Sequence, residues 1–401
     1  MKTPLRPPGG RLRIIVLGYI VRGPLGGIAW HHLQYLLGFA ALGHEVYFVE
    51  DSDDYATCYD PSRQTLDTDP SYGLAFARHA LDRVGFGERW AYHDAHQAQW
   101  HGPCAARMPE LCRSADVMIN VSGINPVRPW LENIPLRVMI DTDPVFTQID
   151  FIEDEAKRQL ADAHNAFFSF GESFGLPGCC IPDDGRPWLP TRQPVALDAW
   201  TATQGPVDGS YTTIMMWDSY ERREFGGIGF GMKSESMAPY VDMPQRCKLP
   251  FELALGGPTS PGARLQAAGW QIRDPFEVTR DPWIYQDFMR ASKAEFSIAK
   301  QGYVVSASGW FSERSTGYLA SGRPVIVQDT GFSRHLPVGE GLFAFSSPDE
   351  ALAAIAEVEA NYAHHCRAAR ELVAAHFDAR SVLARLLDQA YGVREQPGAT
   401  G

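Results

Sequence analysis

The apolar positions of this chain fall into short unbroken runs separated by polar, glycine- and proline-rich stretches. LRIIVL at 12–17 has strand length and no alternation, the pattern of a strand buried on both faces. After the loop GYIVRGPLGG, Ile28, Leu33, Leu36, Leu37 and Ala40 recur at helical spacing, Gly43 closes the segment, and HEVYFVED predicts the next strand. Strand, helix and strand in that order imply a parallel sheet, because parallel strands need a crossover. ADVMINVSG, RVMIDTDP and NAFFSFGES continue the series as short apolar runs ending in polar residues.

From about Pro182 to Asp208 prolines and glycines replace the long apolar periods, which predicts an interdomain linker. The alternation restarts with YTTIMMW, with KLPFELALGG as strand or short helix, and runs on through DPWIYQDFMRASKAEFSIAK and SERSTGYLASGRPVIVQD to two helical segments. The expected fold class is α/β with two Rossmann-like domains: 11–185, a linker at 186–208, 209–376, and a terminal helix at 377–392 available to pack back on the first domain. DSDDYATCYDPSRQTLDTDPSYG and WAYHDAHQAQWHGPC read as long polar loops.

Composition narrows the function. A chain of 401 residues exceeds what one core fills, in agreement with two domains. The net charge of -12 and the absence of any Lys/Arg block argue against a nucleic-acid partner, whose phosphates need a basic surface. The apolar run near the N-terminus is too short to span a bilayer, and no signal or anchor is evident, so the expected location is the cytoplasm, with no membrane partner. Seven scattered cysteines without CxxC spacing read as reduced thiols rather than as a disulfide frame or zinc site.

Chemistry concentrates at a few strand ends. In YLASGRPVIVQDTGF a helix closed by Gly322 and Pro324 hands over to the strand Val325–Val327, whose far end presents Asp329, Thr330 and Gly331, where open α/β sheets bind ligands. IDTDP places Asp141 and Asp143 at another strand end, as candidate bases or a metal-binding DxD, with Asp143 alternatively capping the turn before Pro144. His31 and His32 sit on an apolar-periodic helix, where hydrogen bonding to a ligand competes with packing. Trp217 ends a strand, as a lid over a ligand or as core. Glu172 is a second acid, and Arg192 either touches a ligand or ties the domains. GYIVRGPLGG is not GxGxxG, which disfavours a dehydrogenase.

Two stretches, GGIAWHHLQYLLGFAALGHEV (26–46) and ERSTGYLASGRPVIVQDTGFSRHLPVGEGLFAF (313–345), resemble the GT-B glycosyltransferases, above all their retaining branch. The resemblance implies two domains facing across a cleft, a nucleotide diphosphate-sugar as co-substrate with no other cofactor, no metal, and a small-molecule acceptor. It also implies that the amides of Gly26 and Gly27 and the Lys300 ammonium meet the diphosphate, against the plainer readings of a flexible loop and a solvated lysine. Glu313, Arg314 and Ser315 would face the donor from a helix start, Arg314 alternatively forming an ion pair, and Asp329, Thr330 and Gly331 would meet the sugar. Asp141, Asp143 and His31 are the implied catalytic candidates. The sequence departs from the retaining branch at its paired glutamates, which align with Gly309 and Gly317, and from the inverting branch at its histidine, which aligns with Ile28. An epimerase or isomerase of the same fold, or a nucleotide-sugar-binding protein without chemistry, are the alternatives.

Overall fold

A computed structural model describes residues 10–394. Two sheets carry the chain. The first has eight strands in the order Trp188–Pro190, Ala166–Ser169, Leu136–Asp141, Val117–Val121, Arg13–Leu17, Glu45–Asp51, Trp90–Asp94, Gln99–His101. All neighbours are parallel except the last pair. The second has six parallel strands in the order Gln271–Arg273, Phe251–Gly256, Tyr211–Met216, Ala294–Ser297, Val325–Gln328, Leu342–Phe345. In each sheet the strand order reverses beside the first strand of the domain. A crevice forms where crossovers leave to opposite sides of a sheet, so the loops after Leu17 and Val121, and after Met216 and Ser297, are the places to look for a ligand.

The unbroken apolar runs became central strands, as their two-sided burial requires: Ile14, Ile15, Val16, Val117, Met118 and Ile119 are all fully buried. KLPFELALGG is a strand, Phe251–Gly256. Three segments differ from the expectation. WAYHDAHQAQWHGPC is a strand hairpin, because Trp90, Ala91 and Tyr92 enter the core and only the strand's carboxyl end is polar. DSDDYATCYDPSRQTLDTDPSYG holds the hairpin Cys58–Asp60 with Thr65–Asp67 and leads into the helix Ser71–Arg83, anchored by Phe76, Ala77, Ala80 and Leu81. Trp188–Pro190, inside the segment read as linker, is an edge strand, the place in a sheet that tolerates proline.

The chain crosses between the domains twice, and both crossings are fastened. Val195 donates its N–H to Phe377 O at 2.7 Å, and Ala379 donates to Val195 O at 2.9 Å. Arg323, from the Gly-Arg-Pro corner, is fully buried and donates to the carbonyls of Thr203 (2.8 Å) and Arg290 (3.1 Å), tying the linker to the second domain without a carboxylate. The last helix, Ala379–Arg394, returns to pack on the helix Gly26–Ala41. Gly38 permits this approach, since a Cβ there would lie 2.5 Å from Leu383 Cδ1 and 2.8 Å from Ala379 Cβ. Among the described residues no helix is long and apolar enough to cross a membrane.

Overfilling that contact should be costly. Gly38→Val should lower unfolding stability by about 1–3 kcal/mol in urea titration. Gly392→Ala, at a position with nothing within 4 Å of the added Cβ, should be neutral or slightly stabilising.

Candidate functional site

At the end of the strand Leu136–Asp141 the two aspartates of IDTDP separate. Asp141 is 1% exposed and accepts hydrogen bonds from the Asp143 amide (2.9 Å), Gln148 Nε2 (3.0 Å) and Ser169 Oγ (2.7 Å). Burial pushes its carboxyl above the ordinary range, against those bonds. Asp141 therefore shapes the turn, and Asp143 is the residue the turn presents. The turn is strained: Val145, fully buried and β-branched, has φ 79° and ψ -59°. Its amide donates to Gln148 Oε1 at 2.7 Å, so the side chain that holds Asp141 also holds the strained residue.

Asp143 reaches across the domain boundary. Lys300, which follows the strand Ala294–Ser297 and caps the short helix Gln301–Val305, places Nζ at 2.9 and 3.1 Å from the two Asp143 oxygens. The same ammonium lies 2.6 Å from Tyr220 Oη, and Tyr220 and Tyr303 both donate their hydroxyls to Asp143. Lys300 Nζ also sits 4.3 Å from the ring centre of Tyr220 and 5.1 Å from that of Phe146. Burial, then the Asp143 charge, raises the phenol pKa of both tyrosines, so both stay protonated as donors.

The opposite wall belongs to the second domain. Ser312 caps the helix Glu313–Ala320 by accepting from the Arg314 amide at 3.2 Å. Arg314 runs beneath the sheet edge, bonding Glu295 (2.8 Å), Ser297 Oγ (2.8 Å) and Ile214 O (2.9 Å), so it joins the ends of the two strands that flank the switch point. Ser315 is 1% exposed, and its Oγ, at the edge of a pocket of about 260 Å³ shared with Arg314 and Thr330, has no hydrogen-bond partner among the described residues. A buried donor without a partner is costly and points to a ligand group. Lys233, which sequence reading missed, opens the helix Lys233–Met237 and is partly exposed. Burial, then Arg314 and Lys300, bring its ammonium down to about 7. Arg314 lines the pocket at the orphaned hydroxyl, and Lys233 and Lys300 lie within electrostatic reach of one another and, for Lys233, of Arg314.

The remaining residues take distinct places. Gly27, His31 and Glu313 line one small interdomain pocket together. Gly26 and Gly27 lie under the second domain, a Cβ on Gly26 reaching 2.7 Å from Asp281 O and one on Gly27 reaching 3.1 Å from the Tyr285 ring. Here the glycines admit a neighbouring helix as well as freeing amides. Burial lowers the His31 pKa, so the imidazole is neutral near pH 7, and Glu313 opposes that shift. Asp329 shapes its own turn, accepting from Gly331 N at 2.8 Å and Ser333 Oγ at 2.6 Å, while Thr330 is 2% exposed. Trp217 is buried in the core of the second domain, and His32 is fully buried against Tyr19 and Phe48. Arg192 grips Glu172 with both arms (2.8 and 2.9 Å) and donates to His335 O at 3.0 Å, a tie between domains. Gly309 has φ 75°, and a Cβ there would stand 2.7 Å from Ser173 Oγ, so the position aligned with a glutamate has no room for one. Among the described residues no group of three or more His, Cys, Asp or Glu could hold a metal ion.

Fold and site together define a two-domain α/β protein with a pocket at the strand ends of its second sheet, beside the Lys300–Asp143 contact between the domains. No protein-family model matches the chain, and no curated protein matches it. Solved structures do. An alpha-glucosyltransferase in complex with UDP and a 13-mer DNA matches at TM-score 0.57 and 11% identity, over 95% of this chain and 100% of its own. HepE from Anabaena, in complex with UDP-glucose, matches at TM-score 0.54 and 11% identity over 95% and 100%. AviGT4, a glycosyltransferase involved in avilamycin A biosynthesis, matches at TM-score 0.51 and 13% identity over 96% and 99%. The chain has the GT-B fold.

An anion entering the pocket favours charged Lys233 and should return its pKa toward that of an ordinary lysine. In a methyl-lysine NMR titration one resonance should titrate near about pH 7, be missing in Lys233→Gln, and move to higher pH when sulfate, whose own charge is constant there, is added.

Proposed function

We propose that this chain is a glycosyltransferase that moves a sugar from a nucleoside diphosphate donor to a small-molecule acceptor. The observation that carries the reading is the buried Ser315 hydroxyl without a partner, beside Arg314 in a pocket at the second sheet's switch point, with Lys233 close to Arg314 and to the Lys300 that pairs with Asp143. A diphosphate supplies the charge and acceptor atoms those groups lack, and the free amides at the start of the Glu313–Ala320 helix favour it further. Glu313, whose carboxylate makes no hydrogen bond or ion pair among the described residues, is placed for sugar hydroxyls, with His31 beside it. Asp143 is placed to orient the acceptor hydroxyl. The reaction needs no resident metal or cofactor on this reading. The seven cysteines, all free thiols, favour the reducing cytoplasm.

A second reading, a sugar-nucleotide binder without chemistry, draws on one specific observation. The positions aligned with the retaining glutamates, Gly309 and Gly317, are packed against Ser173 and against Met289 and Trp200.

Calorimetry with UDP, UMP and uridine, followed by a UDP-sugar transfer assay, tests both. UDP should bind in the range of about 1 μM to 1 mM and at least about tenfold more tightly than UMP. Asp143→Asn, by releasing Lys300, should leave UDP affinity unchanged or tighter while transfer falls at least about a hundredfold. No UDP binding rejects the donor site; binding with no transfer in either protein favours the second reading.

A further inference from the structure

A crevice of about 720 Å³, open to solvent, is lined by Asp143 and shares no lining residue with the Ser315 pocket. Its floor is first-domain backbone at two strand ends, and that floor is strained: Ser122 and Gly123 have φ 64° and 61°, and Val145 stands at the next strand end with φ 79°. Thr142 Oγ1 donates to Ser122 Oγ at 2.9 Å, which draws the two strand-end loops together. Its roof comes from the second domain: the segment from Tyr220 into the hairpin Arg223–Phe225 with Ile228–Phe230. Tyr220 anchors the roof to Asp143 at the inner end. At the outer end Arg223 pairs with Asp150 (2.5 Å) and Glu153 (2.7 Å) of the first domain. These outer pairs are part-exposed and screened by solvent, so they hold the roof only weakly there.

The lining has a definite chemistry. The hydroxyl-bearing residues Tyr19, Ser122, Thr142, Thr147 and Tyr220 line the space together with Phe146 and Phe151. Hydroxyls with aromatic walls suit a ligand that presents hydroxyl edges and C–H faces. Charge decides the rest. Asp143, Asp150 and Glu221 line the crevice and Glu153 stands at its rim, against Arg223, Lys157 and the Lys300 that pairs with Asp143, so the acids exceed the bases by one. With a net charge of -12 on the whole chain, a phosphate, a carboxylate or a polynucleotide meets repulsion here.

We propose that this crevice takes an uncharged, polyhydroxylated acceptor, a glycoside or saccharide, beneath the 220–230 hairpin. The proposal rests on the transferase reading for the word acceptor, and on the crevice alone for the ligand class. The volume lies within the usual 300–1000 Å³ of a small-ligand pocket, which suits a glycoside or a short saccharide.

The test separates donor from acceptor. Ligand-observed NMR on the full chain, with and without UDP, compares maltose and octyl glucoside with glucuronic acid, glucose 6-phosphate and a 13-nucleotide DNA. UDP affinity is measured independently by calorimetry. The neutral ligands should bind at least about tenfold more tightly than the anionic ones, and Arg223→Ala should weaken them about threefold with UDP affinity unchanged. Glu221→Lys, on the exposed rim, should narrow the preference by strengthening the anionic ligands. Neutral glycoside binding in a protein that ignores UDP would sink the donor site and keep this crevice. UDP binding alongside equal or preferred binding of glucuronate, phosphate or DNA, or no response to either substitution, would overturn the proposal.

Discussion

One ammonium group holds this cleft together. Lys300 and Asp143 come from different domains, each from the corner where a parallel strand gives way to a helix, and they meet with side-chain exposures of 13% and 32%. A part-buried pair of this kind draws its value from geometry as much as from charge. Two phenols take the carboxylate lone pairs the lysine leaves, and their rings face the cation. Removing one member strands the other away from water, which costs more than the pair contributes. The turn behind Asp143 shows how firmly its position is set: a buried aspartate, a glutamine and a strained valine serve mainly to aim one carboxylate.

The same lysine belongs to a second set of charges. Burial lowers the Lys233 pKa first, with Arg314 and Lys300 adding to it, and Arg314 is neutralised from below by a fully buried Glu295. On the cleft side Lys300 is matched by Asp143 and Lys233 is the cation held below its ordinary pKa, whereas on the core side Arg314 is matched by Glu295. On the transferase reading, a diphosphate at Ser315 relieves the repulsion among the cations and draws Lys300 from Asp143. Donor binding and release of the carboxylate toward the acceptor become one event, carried by a single side chain. A conformational change is explained only when the ligand interacts differently with the two states, and the lysine supplies that difference.

How much of this was legible depends on range along the chain. Strands that are apolar on both faces announce themselves locally, so the two sheets and the corner from Tyr318 to Phe332 could be read directly. WAYHD could not, because its polar carboxyl end ran into a polar turn and outweighed Trp90–Tyr92. Lys300 was visible at a strand end, and Tyr303, one helical turn on, was a signal left unread. Tyr220 and Lys233 carry no local mark. They reach the site through a loop and a hairpin whose path is set by Arg223 pairing with Asp150 and Glu153 in the other domain. Asp141 and Asp143 looked alike in sequence because a spacing of two says nothing about which one the turn bends inward.

The two glycines that depart from the retaining pattern are best understood as filled space. At Gly309 the backbone adopts φ 75° so that Ser308 O can accept from the Ser173 amide at 3.0 Å, which closes the cleft where a carboxylate would otherwise stand. At Gly317 the helix surface meets Met289 Sδ and the Trp200 ring at 2.8 and 3.0 Å from where a Cβ would be. Restoring glutamate at either position would force the domains or the linker apart, so neither acid can return by one substitution. On the transferase reading, any carboxylate chemistry at the sugar comes from elsewhere on the same walls. Glu313, in the first turn of the helix that carries Gly317, is exposed, lines the small interdomain pocket with His31, and makes no hydrogen bond or ion pair through its carboxylate among the described residues.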